Sequence, residues 1–326
     1  MAMKMALVLA CALPCSALDF LVMADWGGSD HSPYTTTEEL TTADGMGVVA
    51  ASTNAAFALA VGDNFYTFGV KDVDDSRFKD TFEDVFKADS LKDIPFYAIA
   101  GNHDHFGSVQ AQIDYTGKST RWKYPDSWFT FSKDVDGDAT IQFVMIDTVV
   151  LAGNSDVRDP ETGEVLEELG GDRLPGPADK QRAQTQMEWL EATLKNSTAE
   201  YLVVAGHYPV WSICEHGPTS FLVDHIKPML ETYGVTAFIA GHDHCMESLV
   251  VEGVDYHGMG SAHINDKSTQ HAGKVPKGSL KFHTPGKSGG FGSFTVNATS
   301  FVARHHEGDG TLLYTHPSRA PRAVRR

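Results

Sequence analysis

Beyond its first residues the sequence has no apolar run near the roughly 20 residues that a membrane-spanning helix needs. It is also short of positive charge, with 26 Lys and Arg against 43 Asp and Glu and a formal net charge of −17. A surface of that sign repels nucleic-acid backbones and anionic lipid, which excludes both as main partners. It repels phosphate esters too, so a phosphate-handling site here must bring its own positive charge, and metal ions are the obvious source. Cysteine is scarce, four in all. What is present is ordinary for a folded chain: 326 residues, 42% hydrophobic, with 10 Tyr, 18 Phe and 5 Trp. That is ample for a large core and argues against disorder.

The chain starts with Lys4, a short apolar run from Met5 to Leu13, and small residues at Cys15-Ser16-Ala17. This is the order of a secretory signal peptide, residues 1–17, and it predicts export to the outside or to a lysosome- or vacuole-type compartment. Two N-x-S/T sequons, at Asn196 and Asn297, fit a glycoprotein of that compartment. Cys11 and Cys15 fall within the leader. Cys214 and Cys245 remain and read either as a disulfide pair or as two buried thiols.

Five strand-like apolar runs each end in a loop rich in polar side chains. Phe20–Ala24 leads into Asp25-Trp26-Gly27, and Phe57–Val61 into Gly62-Asp63-Asn64-Phe65-Tyr66. Pro95–Ala100 leads into Gly101-Asn102-His103-Asp104, Tyr201–Ala205 into Gly206-His207, and Val235–Ala240 into Gly241-His242-Asp243-His244. Near-continuous apolar runs of this length suit strands buried on both faces. Between them lie helical patterns at about 180–196, starting at Asp179 or Lys180, and at about 220–233, stopped by Gly234. Alternating strand and helix implies βαβ crossovers, with ligands gathered at the carboxyl ends of strands. The expected fold is α/β: two mixed sheets packed as a sandwich and flanked by helices. It forms one catalytic domain over 18–318, followed by a flexible basic tail over 319–326. Residues 153–178 read as a long surface loop.

Asp25, Asp63, Asn102, His207, His242 and His244 supply oxygen and imidazole donors on these strand-end loops. Any one of them alone is explained by a turn or a core hydrogen bond. Five such loops together serve two neighbouring hard cations. The glycines immediately before the ligands let the chain turn tightly beside them.

The ordered set Asp-x-Gly, Gly-Asp-x-x-Tyr, Gly-Asn-His-Asp, Val-x-x-His and Gly-His-x-His resembles that of the purple acid phosphatases, within the calcineurin-like metallophosphoesterases. Ala205–Ile213 and Glu215–Thr219 resemble the small animal-type, tartrate-resistant enzymes of that family. The resemblance implies Fe(III) held by Asp25, Asp63, Tyr66 and His244. It implies a second divalent metal, Fe(II), Zn(II) or Mn(II), held by the bridging Asp63 with Asn102, His207 and His242. Phosphodiesterase cousins carry a histidine where this chain has Gly27, whereas the phenol of Tyr66 is a hard anionic donor suited to ferric iron. His103 and His216 match positions that touch the phosphate and the leaving group, with Asp104 orienting His103 or a neighbouring ligand. The other histidines, His105, His257 and His305-His306, read as surface or structural. The family's disulfide is not retained, since Ser220-Phe221 stand at one of its cysteines. A loop in the region of 153–178 overhangs the site in similar enzymes and restrains activity until clipped, and Arg158 and Arg173 are candidate cleavage points.

The expected function is therefore hydrolysis of phosphate monoesters, by in-line attack of water activated at a binuclear centre. Asn102 and the ligand histidines stabilise the developing charge, and a protonated His216 or His103 serves the leaving group, which favours acidic pH. The expected partners are small phosphate esters or phosphoproteins, acted on by a monomer. The alternatives are a phosphodiesterase of the same superfamily and a non-catalytic iron-binding protein.

Overall fold

The computed structural model describes residues 17–135, 139–159 and 162–323, so the leader reading over residues 1–17 lies, but for Ala17, outside the described residues. Among the described residues sixteen strands follow one another. They are β1 (Leu18–Met23), β2 (Ala58–Val61), β3 (Phe96–Ile99), β4 (Trp122–Lys123), β5 (Phe129–Asp134), β6 (Thr140–Met145), β7 (Asp156–Arg158) and β8 (Val165–Glu168). The second half adds β9 (Tyr201–Ala205), β10 (Ala237–Ala240), β11 (Met246–Val251), β12 (Val254–Met259), β13 (Leu280–Thr284), β14 (Gly290–Asn297), β15 (Ser300–Glu307) and β16 (Leu312–Thr315). One seven-stranded sheet runs β16-β15-β14-β1-β2-β3-β4, a second runs β13-β11-β12-β10-β9-β6-β5, and β7-β8 form a separate hairpin. In the second sheet a parallel centre, β6-β9-β10-β12, is flanked by antiparallel strands on both sides, whereas in the first the parallel run β1-β2-β3-β4 ends at the sheet edge and meets antiparallel strands only at β14. This is the expected sandwich of two mixed sheets.

The sheets meet through aromatic side chains that alternate inward. Phe20 of β1 stacks on Phe57 at 5.0 Å and on Phe294 of β14 at 4.8 Å, and meets the edge of Phe143 from the other sheet at 5.1 Å. On the outer face of the second sheet, Val144, Leu202, Val204 and Phe238 pack against Leu190 and Leu194 of one helix and Leu222, Ile226 and Leu230 of another segment. Its central strands are thus buried on both faces, which is why they read as unbroken apolar runs.

The helices are α1 (Thr37–Thr53), α2 (Val109–Tyr115), α3 (Thr148–Ala152), α4 (Lys180–Asn196) and α5 (Lys227–Thr232). α4 has the expected limits because Asp179 caps it, accepting from the N–H groups of Gln181 and Arg182. The stretch expected as one helix over 220–233 instead begins with a π-type turn over Leu222–Ile226 before α5. α1 was not legible in the periodicity: its buried face is built from Thr42, Ala43, Gly45, Met46, Val49 and Ala50, and a capping box between Thr36 and Glu39 starts it. Among the described residues no helix is long and apolar enough to cross a membrane.

Two expectations need correction. The basic end is tied down where it is described. Arg319 exchanges backbone hydrogen bonds with Phe301, and the Arg322 guanidinium donates to the carbonyls of Ser197, Ala199 and Tyr233. Those carbonyls lie just past α4 and α5, where a cation is favoured. Residues 153–178 are also not wholly loop, since they contain the β7-β8 hairpin.

One buried group off the central cleft gives a pH-dependent stability. Glu247 on β11 is buried and accepts from the Ile213 N–H at 3.2 Å; burial, helped by Asp243, pushes its carboxyl from 4.5 up to about 8. Between those values the native chain keeps a proton that the unfolded chain releases, so stability falls as pH rises through this window. Glu247→Gln is expected to raise stability by roughly 1–3 kcal/mol at mildly alkaline pH and to change little in acid. Denaturant melts of both chains across that range check the sign; an equal shift at all pH values would contradict it.

Candidate metal centre and active site

All five loops open at the carboxyl ends of parallel strands: β1 into Asp25, β2 into Asp63 and Tyr66, β3 into Asn102 and His103, β9 into His207, β10 into His242 and His244. The neighbouring sheets therefore point these side chains into one cleft. Asp25, Asp63 and His242 hold left-handed backbone with φ of 53°, 50° and 70°. Non-glycine residues in that region cost of order 1–3 kcal/mol each and persist where the surroundings impose them. Close approach is equally demanding. A side chain at Gly101 would stand 2.2 Å from Asp63 Oδ1, and one at Gly241 would stand 2.5 Å from Asp25 Oδ2.

The side chains meet in the interior. The Tyr66 hydroxyl lies 3.3 Å from Asp25 Oδ1 and 3.1 Å from His244 Nε2, with His244 Nε2 3.7 Å from Asp25 Oδ1. His207 Nε2 lies 3.4 Å from Asp63 Oδ2, 3.9 Å from Asp25 Oδ1 and 2.9 Å from Asn102 Oδ1. Carboxylate and imidazole atoms of Asp25, Asp63 and His207 all fall within 4.8 Å of one another. The His242 ring sits 5.3 Å from that of His207, and the His242 N–H donates to both oxygens of Asp25, at 3.1 and 2.9 Å. His207 Nδ1 is engaged with the Val61 carbonyl at 3.0 Å, which leaves Nε2 to face the carboxylates.

The electrostatics test whether this set suits cations. Burial, reinforced by Asp63 and Asp25, drives the Tyr66 phenol well above its ordinary value, and burial does the same to the Asp25 carboxyl. Burial together with His216 holds His242 well below the usual histidine range and His244 down to about 3. Burial would raise Asp63 as well, but His207 and His103 outweigh it and keep this carboxylate ionised; His207 in turn is lifted to about 9 despite burial by Asp63. Two acids, a phenol and three imidazoles, those of His242 and His244 held neutral, are crowded together in a donor set that metal charge at its centre would satisfy. The residues present fit two hard cations, one of them against the phenol oxygen.

His103 and His216 flank the cluster. The His103 ring stands 4.6 Å from Tyr66, with Nδ1 bonded to the Thr67 carbonyl and Nε2 3.9 Å from Asp63 Oδ2. The His216 ring stacks on His242 at 4.1 Å. Of the two roles expected for Asp104, the contacts are with the neighbouring ligand loops rather than the His103 ring: its carboxylate accepts from the N–H groups of Gly101 and Asn64 and from Gln112, fixing the backbone beside Asn102 and Asp63. His105 pairs with Asp147 at 2.9 Å, and His257, His305 and His306 are buried, so all four are structural. Cys214 and Cys245 form a disulfide. Asn196 is exposed at the end of α4, and Asn297 sits in the β14-β15 turn, where its Oδ1 accepts from Thr299 and Ser300.

Several groups at the site carried no motif signal. Asp156, in the supposed surface loop, accepts from Asn102 Nδ2 at 3.3 Å and lies 3.8 Å from His103 Nε2. Arg158 holds it from 3.6 Å while its guanidinium lies 3.7 Å from the centre of the Phe106 ring. His263 stacks on Tyr66 at 4.4 Å. Asp243 accepts from the His216 and Gly217 N–H groups, and could have been suspected from its place between two ligand histidines.

Comparison with known proteins gives a consistent result. The family described as Calcineurin-like phosphoesterase matches residues 18–246. The chain is 40% identical over 313 residues to tartrate-resistant acid phosphatase type 5 of Homo sapiens, covering 95% of this chain and 92% of that protein. It is 31% identical to purple acid phosphatase 7 of Arabidopsis thaliana, over 72% of this chain and 66% of that one. Among solved structures, one titled "GAP50 the anchor in the inner membrane complex of Plasmodium" superposes with a TM-score of 0.78 at 21% identity, over 94% of this chain and 90% of that chain. The last is a likeness of fold alone.

Proposed function

The chain belongs to the calcineurin-like phosphoesterase family, and from that premise we propose that it is an acid phosphatase that hydrolyses phosphate monoesters at a centre of Fe(III) and one divalent metal. The supporting observation is the burial of Asp25, Asp63, Tyr66 and His207 beside a half-buried His244, with their donor atoms 3.1 to 3.9 Å apart. Asp25, Asp63, Tyr66 and His244 would hold the ferric ion; Asp63, Asn102, His207 and His242 would hold the divalent ion, whether Fe(II), Zn(II) or Mn(II). Bound there, the two cations supply charge that neutralises phosphate oxygens and lowers the pKa of water.

The protein's own side chains do the rest. The Asn102 amide is steered by Asp156 and faces His207 through its oxygen. His216, seated against His242 by the Asp243 carboxylate, presents a proton to the departing alkoxide. His103, anchored at Nδ1 by Thr67, turns Nε2 toward the phosphate. The leader and the two sequons support an exported glycoprotein, in the outside medium or a lysosome- or vacuole-type compartment.

The test is turnover of p-nitrophenyl phosphate at acidic pH against bis(p-nitrophenyl) phosphate. A phosphatase turns over the diester at least ~10²-fold more slowly; a preference for the diester would reject the reading. The loop gives a second expectation. The Arg158 side chain is only 8% exposed, whereas Arg173 is 55% exposed. Trypsin is therefore expected to cut after Arg173, loosening the 153–178 segment and raising turnover. Unchanged turnover of the clipped chain would end the idea that this segment restrains the site.

A further inference from the structure

The sulfur pair beside the cleft has chemistry that phosphate hydrolysis does not use. Cys214 lies two residues before His216, and Cys245 immediately follows His244, so their disulfide fastens two loops that carry site histidines. Both are buried with Ile213 in a small cluster that Val275 covers. A third donor stands against them: the two sulfurs and an imidazole nitrogen of His283, on β13, all lie within 4.8 Å of one another. His283 Nε2 is buried with no hydrogen-bond partner among the described residues, and so is Asp266 Oδ2. Asp266 is near enough for its charge to act on His283, and its N–H donates to the His244 carbonyl at 2.7 Å. A buried polar atom left unpaired costs about 1–3 kcal/mol, so two of them beside a sulfur pair call for an explanation.

We propose that reduction of the Cys214–Cys245 bond uncovers a further metal site for one Zn(II)-type ion, with both thiolates and the His283 imidazole as ligands and Asp266 able to take the fourth place. Cys₂His with one more donor is a tetrahedral zinc set. Its soft sulfurs separate it from the oxygen-rich centre in the cleft. The geometry allows it. Sulfurs around zinc sit at about 2.3 Å from the ion and so about 3.8 Å from each other. The two Cα atoms are already 6.8 Å apart, so side-chain rotation opens that gap without moving the loops. With a phosphine as reductant the S–S bond breaks, the phosphine becomes its oxide with oxygen from water, and the two water protons leave the sulfurs as thiols. Binding of the divalent ion then releases both thiol protons to solvent. Either the covalent bond or the ion holds the His216 and His244 loops together.

The experiment uses the chain with Cys11 and Cys15 replaced by serine, so that Cys214 and Cys245 are its remaining sulfur pair, and Cd(II), whose bond to thiolate has an ultraviolet charge-transfer band that a sulfur-free centre cannot give. After phosphine treatment, release of two thiols and removal of the reductant, one additional equivalent of Cd(II) is expected to bind with that band. The oxidised chain and the doubly substituted Cys214→Ser, Cys245→Ser chain give none. His283→Ala, checked for an unchanged melt in its oxidised form, is expected to weaken the binding at least ~10-fold, the low end for perturbing a metal's surroundings. Absence of the band after thiol release, failure of the thiols to appear without unfolding, or unaltered affinity in His283→Ala would each overturn the proposal. Because the readout is sulfur-specific, failure of the phosphatase reading would leave this test untouched.

Discussion

Asp63→Asn is expected to lower turnover of p-nitrophenyl phosphate by at least ~10³-fold, on the scale of removing the charge stabilisation that metals provide. The substitution isolates charge from shape. Asn tolerates the left-handed backbone that residue 63 adopts, at φ 50°. It also retains an oxygen able to accept from the His103 N–H, which now donates to Oδ1 at 3.0 Å. What it loses is the ionised oxygen 3.4 Å from His207 Nε2, the group that the reading places between two cations. Metal content should fall with turnover while the melting temperature moves by only a few degrees. Both are read on one preparation. A loss below tenfold with full metal content would remove Asp63 from the bridging role.

His216→Ala is expected to be selective. With an alkyl phosphate, whose leaving alkoxide needs a proton, turnover should drop by ~10²–10⁴-fold, the usual worth of positioned acid catalysis. With p-nitrophenyl phosphate, whose leaving group departs as the anion, the loss should stay below ~10-fold by the same argument. The His216 ring rests on His242 at 4.1 Å, so a merely structural role would perturb that ligand and slow both substrates alike. Equal losses would therefore assign His216 to positioning and leave His103 as the candidate proton donor.

The sequence carried the frame of this molecule because two features repeat in it. Strands such as Tyr201–Ala205 and Ala237–Ala240 are buried on both faces, so their apolar runs stand out, and each is followed at once by a ligand-type side chain. α4 was legible through the Asp179 cap and the stripe of Ala183, Leu190 and Leu194. α1 was not, because it packs with small residues: a side chain at Gly45 would stand 2.1 Å from the Gly308 carbonyl oxygen. Close packing of that kind leaves no apolar stripe to find. Asp156 and His263 were missed for another reason. Neither sits in a strand-end motif, and each reaches the cleft only through tertiary folding, Asp156 from the β7-β8 hairpin and His263 from the segment after β12. The pairing of Cys214 with Cys245 was likewise open, since proximity across 31 residues is a property of the folded chain.

The account rests on Tyr66 meeting Asp25 and His244 in the interior, 3.3 and 3.1 Å from its hydroxyl, as a phenol bound to ferric iron. A visible absorption spectrum of the purified chain, with metal analysis, compared with that of Tyr66→Phe, tests this most directly. The account predicts two metals per chain, at least one of them iron, and a purple phenolate-to-iron band that Tyr66→Phe abolishes. A colourless iron-bearing protein, or a band that survives the substitution, would contradict it.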